Sequence, residues 1–424
     1  MMLRGPALGL LLSALVGSVF AQERELAFTE VLRLALANSP SLQAKARELD
    51  AADSTVKGAQ WGRYPALSAS LATAPAGVDS TLSANQSAPS SYVRLDQPLY
   101  AWGAIDARIK TADLQKGVAK LAISMEANAV ADRVIGAFGQ IVAAQDKIGV
   151  QRDAVARLTE FEGIIGRRLA SLLSSKNDAS LVNSRLQQAR SELVQSHATE
   201  TRALAQLEEV IGQSIKGKMQ AEPVAVDWAN LDALQLSCLD SASELASARL
   251  GRDLADNQIK QRTADLFPRL VGRLERIHAP TVGSASTDYT QAYVVLEASL
   301  GNGLSALEGV NESSARLQAS EQQIEITRRA LLQQTASAWS DFRSYADQEA
   351  ILKEITSENQ EIVESFIRQY LAGKKSWLEV LNVERELVQS RLQMADIRAT
   401  LMTSALRLQR LGGHLNLAPG SKAP

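Results

Sequence analysis

The chain has 424 residues, of which 45 are Lys or Arg and 47 are Asp or Glu, for a net charge of −2. That balance excludes a nucleic-acid binder, and the single cysteine, Cys238, excludes an intrachain disulfide or a cysteine zinc cluster. Aromatic residues make up only 4% of the chain, while Ala, Leu, Gln, Ser and Arg dominate, as in long helices with narrow apolar seams rather than a thick globular core.

The opening stretch MMLRGPALGLLLSALVGSVFA carries one positive charge at Arg4, an apolar run from Ala7 to Phe20, and small residues at Val19 and Ala21. This is the pattern of a secretory signal peptide over residues 1–21, cut after Ala21, with no cysteine following that would take a lipid anchor. Beyond it, no apolar run reaches the roughly 18 residues of a membrane-spanning helix.

The first half, residues 22–213, opens with a helix of about 25 residues, entered through TEVLRLALANSPSLQAKA (29–46). Two alternating strands follow. Leu67, Ala69 and Leu71 alternate with Ser68 and Ser70, and Val93 and Leu95 alternate with Tyr92, Arg94 and Asp96, around a polar loop at 75–91. At QPLYAWGAIDARIKTA (97–112), Gly103 bends the chain from strand into a very long helix, which turns at LASLLSSKND (169–178) into a second one. Residues 214–240 read as a linker.

The second half, residues 241–413, repeats this plan before a tail at 414–424. Leu42 answers Leu245, Pro65 answers Pro268, Tyr92 answers Tyr293, Phe138 answers Trp339, and Asn183 and Leu193 answer Asn382 and Leu392, so the chain contains itself twice. Its strands place Leu270, Gly272 and Leu274 against Arg273 and Glu275, and Ala292, Val294, Leu296, Ala298 and Leu300 against Tyr293, Val295, Glu297 and Ser299, around a loop at 279–290. GNG at 301–303 lacks the rest of a nucleotide fingerprint and reads as the matching bend. One apolar face and one wet face per strand suit lipid outside and water inside. Four strands cannot close a barrel with a wide lumen, since narrow ones already take about eight, so several copies must share one.

The last helix carries two heptad seams. Leu378, Leu381, Arg385, Val388, Leu392, Ala395, Ala399, Met402 and Leu406 form one, with Arg385 as a misfit. Val380, Val383, Leu387, Ser390, Met394, Ile397, Leu401, Ser404, Leu408 and Leu411 form the other. A two-residue offset is about 200° around a helix, so the seams face opposite ways, with polar strips that include Glu384, Glu386 and Gln389 between them. Such a helix wants a neighbour on each side and water on the other two, and a palisade of them closing on itself is a hollow tube. The helix from about Glu308 to Leu371 would span roughly 95 Å. Its seven-residue seam is Leu317, Ile324, Leu331, Ala338, Tyr345 and Leu352.

The doubled layout, the junction at 97–112, the entry stretch at 29–46 and the hairpin YLAGKKSWLEVLNVERELVQSRL (370–392) resemble the TolC family of outer-membrane export channels over essentially the whole mature length. The resemblance implies a mainly α fold with a small β part: a trimeric outer-membrane β-barrel of twelve strands, continued by a long periplasmic α-helical barrel and internally duplicated. It implies an outer-membrane channel-tunnel of a tripartite export machine. Its partners would be a periplasmic adaptor protein, an inner-membrane ABC exporter or other pump, and outer-membrane lipid. SWLEVLNVEREL leans toward type I secretion of a large protein such as an adhesin, with small-molecule or multidrug efflux as the alternative. A different class, a secreted soluble coiled-coil scaffold, uses the same heptads but has no need of amphipathic strands.

The resemblance also implies a periplasmic gate formed by Tyr370, a basic latch at Lys375 that pairs across the hairpins, and constricting residues Glu379 and Asn382. In the first half Asp178 is their approximate partner. The adaptor-docking tips would hold Gly373, Lys374 and Ser171, the last standing where a glycine is usual. His197, His278 and His414 are far apart and lack paired metal spacing, so the sequence offers no catalytic site, metal or cofactor.

Overall fold

Two helices of 67 residues each dominate the computed structural model, which describes residues 25–72, 90–215, 217–220, 224–279, 287–298, 305–415 and 417. The expected signal peptide, the centres of both polar loops and the GNG bend lie outside these residues.

The first half runs β1 (Glu25–Leu26), α1 (Phe28–Asn38), α2 (Pro40–Trp61), β2 (Ala66–Ala72), β3 (Ser90–Tyr100), α3 (Ala104–Ala170) and α4 (Lys176–Ile211). After β4 (Lys218–Met219), the second half runs α5 (Leu231–Ser241), α6 (Ser243–Ala264), β5 (Arg269–Ala279), β6 (Thr287–Glu297), α7 (Ser305–Leu371) and α8 (Trp377–Leu411). The duplication therefore reaches further than the expected linker allows, because α5 stands where α1 stands in the first half.

The helix expected to open each half is two helices. In the first half Pro40 bars Ser39 from helical geometry, because a proline ring crowds the backbone of the residue before it, and Ser39 sits at φ −58, ψ 119. Ala242 makes the same break at φ −67, ψ 111 without a proline. Register along the long hairpins also differs from the expected pairing. Ser175 and Ser376 both cap their helices, which aligns Asn183 with Glu384 rather than Asn382.

Side by side, α3 touches α4 and α8, and α8 touches α7; nearer the sheet, α3 also touches α2 and α6, and α6 touches α7. The two seams of α8 find these two neighbours. Ala399, Met402 and Leu406 join a core with Phe138 and Ile135 of α3, where Gly139 leaves room for Thr403: a Cβ there would lie 2.2 Å from its methyl. On the other side Leu408 packs with Ala338, Trp339 and Phe342 of α7. One residue of the expected polar strips departs from the pattern. Glu384 is buried, because its carboxylate meets Arg157 of α3 at 3.2 Å. The largest core lies midway along the helices, where α1 brings Phe28 edge-on to Phe138 at 5.5 Å and the parallel pair β1–β4 adds Met219.

The sheet has the order β2-β3-β5-β6, antiparallel throughout, so the halves meet at β3–β5 and both outer edges are open. Strands β3, β5 and β6 are 11 residues long, the length that crosses a bilayer when tilted. The alternation holds. Leu67, Leu71, Val93, Leu274, Val294 and Leu296 are exposed on one face, while Arg94, Asp96, Arg273, Glu275 and Glu297 line the other. The middle of the apolar face is the row Leu67, Leu95, Leu274, Ala292, whereas Leu296 lies opposite Leu270 near the helix end.

At that helix end, exposed rings gather. Trp61 packs on Tyr64 at 5.1 Å, Tyr100 on Trp102 at 5.0 Å, and Trp102 stacks on Phe267 at 5.1 Å, with its indole N–H donating to Pro268 O at 2.7 Å. Trp102 holds φ 49 and Gly103 φ 84, so the strand-to-helix bend lifts the Trp102 ring into this cluster. Rings with one polar end, placed where an apolar strand face gives way to polar helices, form an interfacial belt.

Two measurements check this placement. Leu274→Arg should cost about 2–4 kcal/mol of assembly in lipid and Leu296→Arg about 0–1, read as folding yield into vesicles. In single-tryptophan variants, lipids brominated near the headgroup should quench Trp61 and Trp102 and leave Trp228, Trp339 and Trp377 bright.

Candidate functional site

The ends of the two long hairpins are built alike. In α3 the last turn closes with Leu172 N–H donating to Leu169 O at 3.0 Å and Leu173 N–H to Arg168 O at 2.8 Å. In α7 the equivalents are Gly373 N–H to Tyr370 O and Lys374 N–H to Gln369 O, both at 2.9 Å. This paired closure needs a left-handed residue, and Leu172 (φ 57) and Gly373 (φ 73) supply it. The first-half counterpart of Gly373 is thus Leu172, not Ser171. An L-residue pays roughly 1–2 kcal/mol for that conformation, and Leu172 is also 92% exposed, with Leu173 beside it at 65%.

The return helices start with matching capping boxes. Ser175 Oγ accepts from Asp178 N–H at 3.1 Å while Asp178 Oδ2 accepts from Ser175 N–H at 3.1 Å. Ser376 Oγ accepts from Glu379 N–H at 3.4 Å while Glu379 Oε2 accepts from Ser376 N–H at 2.9 Å. Asp178 and Glu379 are therefore in register. Ser-x-x-Asp and Ser-x-x-Glu are legible as caps from sequence, so the two acids carry a local structural role besides any in a gate.

Lys375 pairs within its own hairpin rather than across to the other. Its Nζ lies 2.6 Å from Glu379 Oε1 and 4.6 Å above the Phe366 ring. The Lys375 ammonium, with the Ser376 backbone and hydroxyl, holds the Glu379 carboxyl down at about 2. The residue that does bridge the hairpins is Tyr370. Its hydroxyl hydrogen-bonds Ser174 Oγ at 2.9 Å, its ring packs on Trp377 at 4.8 Å, and Arg168 lies 5.0 Å above it. Trp377 in turn meets Phe161 of α3 edge-on at 5.1 Å. Asn382 is half-buried, a turn further along α8; Ser171 and Lys374 are exposed at the tips.

Above this cluster, Arg157 and the buried Glu384 form a second link between the hairpins. Burial pushes the Glu384 carboxyl up, and Arg157 opposes that shift. Sequence reasoning missed Ser174, Arg168, Trp377 and the Arg157–Glu384 pair. Nothing in their local spacing marks them, because each contact depends on how one hairpin lies against the other.

An internally duplicated palisade of long helices, ending in an amphipathic sheet at one end and capped hairpins at the other, defines a membrane-anchored conduit protein rather than an enzyme. The outer membrane efflux protein family matches residues 31–213 and again 236–414, and the chain belongs to that family. It is an outer-membrane channel protein with a large periplasmic helical part, and its role is transport. It is 24% identical over 347 residues to the alkaline protease secretion protein AprF of Pseudomonas aeruginosa, covering 77% of this chain and 70% of that protein. Among solved structures, a membrane protein from Pseudomonas aeruginosa superposes with a TM-score of 0.78 at 17% identity, covering 91% of this chain and 90% of that one. The outer membrane protein VceC of Vibrio cholerae gives 0.74 at 15%, covering 91% and 96%.

The Glu379 carboxyl is depressed in the folded hairpin relative to its ordinary 4.5, so its contribution is present above about 4.5 and is lost as pH falls toward about 2. The protection of amides at the start of α8, taken relative to their intrinsic exchange rate at each pH, should be constant from neutral pH down to roughly 5 and then fall with acid. Glu379→Gln should show the lower protection already at neutral pH and little further change.

Proposed function

We propose that three copies of this chain close into one export conduit, and that the hairpin tips are its periplasmic mouth. The observation that carries this reading is the pair of open edges. Strands β2 and β6 each leave one row of backbone groups unpaired, which lipid cannot satisfy, so the four-stranded sheet must continue into other copies. Three copies make a closed twelve-stranded barrel. The helices offer matching edges, with exposed Ile351, Ile355 and Ile362 along α7 and exposed Val194 on α4.

At the mouth, Glu379 and Asn382 of three α8 helices constrict the passage, with Asp178 in the matching position on α4. Tyr370 holds the second hairpin to the first through Ser174, and Lys375 neutralises Glu379 in the resting state. Opening separates the hairpins and breaks the Tyr370–Ser174 contact. The tips, Ser171 with Leu172 and Leu173 on one side and Gly373 with Lys374 on the other, present an apolar and a basic surface to a periplasmic adaptor. That adaptor connects the channel to an inner-membrane ABC exporter or other pump, the source of energy.

Protein secretion is the cargo reading that the likeness to an alkaline protease secretion protein supports, and a type I route for a large protein such as an adhesin is the finer form of it that we propose. The second reading, small-molecule efflux, is favoured by the family match itself. A strain lacking the chain should lose a secreted protein from the medium with drug tolerance unchanged; the reverse outcome assigns the chain to efflux. The purified protein should have the mass of three chains in detergent. In planar bilayers Glu379→Gln should lower cation selectivity, and Lys375→Glu, which sets two carboxylates against each other, should raise single-channel conductance. If neither changes, the tips serve docking alone.

A further inference from the structure

Every charged side chain on the wet face of the described sheet is matched. Asp96 stands opposite Arg273, and Arg94 opposite Glu275, across the β3–β5 seam; Arg269 stands opposite Glu297 across β5–β6. The contacts follow the register. Arg273 Nε lies 2.7 Å from Asp96 Oδ1 and its Nη2 lies 2.7 Å from Glu297 Oε1. Arg94 meets Glu275 at 3.2 Å, and Arg269 meets Glu297 at 3.0 Å. Among the described strand residues this face carries three arginines and three carboxylates, and its other polar positions are Ser, Tyr, Gln and Thr. Arg273, the centre of the network, is only 15% exposed, held between carboxylates on both neighbouring strands.

We propose that the barrel wall is charge-compensated by construction, with Arg273 and Glu275 as the residues that set the balance, so that the barrel does not sort what passes by charge. This rests on the reading above, in which this face lines the conduit. An isolated charge on a narrow low-dielectric wall projects a field along the lumen, whereas an ion pair in contact leaves a dipole, whose field falls off faster and is screened within about 8 Å at physiological salt. Three copies of a neutral wall remain neutral. Such a wall suits a cargo that presents both signs of charge in succession, an extended polypeptide, because neither sign is trapped or repelled on the way out. Charge selection is then left to the mouth.

The test uses the full-length protein in planar bilayers under a salt gradient, in a Lys375→Gln/Glu379→Gln background that removes both charges of the mouth pair. The parent should reverse near zero. Arg273→Gln, which unmasks Asp96 and leaves Glu297 with Arg269 alone, should move the reversal potential toward cation selectivity, with a several-fold rise in the cation-to-anion permeability ratio. Glu275→Gln, which unmasks Arg94, should move it the other way, and Arg273→Lys should restore the parent value. Glu275→Gln is independent of Arg273, so it decides the matter even where Arg273→Gln fails to assemble. Channels that open normally with both reversal potentials unchanged, or displaced in the same direction, overturn the compensation while leaving the conduit intact. A parent that forms no channel removes the conduit reading and the proposal with it.

Discussion

The last long helix of this protein has two narrow apolar stripes, and a helix of that kind can be satisfied only between two others. Helix α8 shows the constraint most clearly. Its Ala399, Met402 and Leu406 are taken up by α3 and its Leu408 by α7, while Glu386, Gln389 and Gln393 between the stripes stay in water. A set of such helices cannot fold over into a globule, because a helix with two narrow stripes has no single broad face to bury. It extends sideways as a palisade, and at about 1.5 Å per residue the 67-residue members make that palisade roughly 100 Å tall. The height follows from the length of the helices, and the open lateral edges follow from the width of the stripes.

What converts a palisade into a membrane-anchored conduit is the change of period at residues 61–104. There the apolar repeat shortens from a helical one to a strict alternation, so the apolar residues gather on one face of a sheet and are left exposed. The bend at Trp102 and Gly103 is made with two left-handed residues in succession, and the strain at Trp102 is offset by its hydrogen bond to Pro268 and its stacking on Phe267. That contact joins the junction of the first half to the junction of the second. The β3–β5 ion pairs join the halves again inside the sheet, so the duplicated units are fastened to each other by both aromatic and charged contacts.

At the hairpin tips one small motif serves two ends. Glu379 closes the α8 capping box and pairs with Lys375 at the same time, so the acid implied as part of a constriction is also the residue that starts its helix. Its first-half counterpart, Asp178, has a cap but Ser174, not a lysine, at the position that matches Lys375. The halves differ in the same way at the tip, apolar Leu172 and Leu173 against Gly373 and Lys374. Duplication supplied two hairpins of one geometry, and divergence made one apolar and the other basic.

The amino-acid sequence by itself determined the features that depend on spacing within one element: the two seams of α8, the alternation of the strands, the doubled order of elements and the turn at Gly373. It also carried both capping boxes, since their partners lie three residues apart. It could not place the exact register between the long hairpins, where Asn183 turned out to match Glu384, because weak similarity along uniform heptads slides easily without loss. Nor could it show that Glu384 is buried against Arg157, that Lys375 stays with its own hairpin, or that Tyr370 reaches Ser174. Those contacts join residues far apart in the chain, and which side chains meet is decided by the rotation and height of one helix against another. Only the tertiary structure sets these two quantities, because a heptad pattern specifies that a face is buried and says nothing about the partner it is buried against.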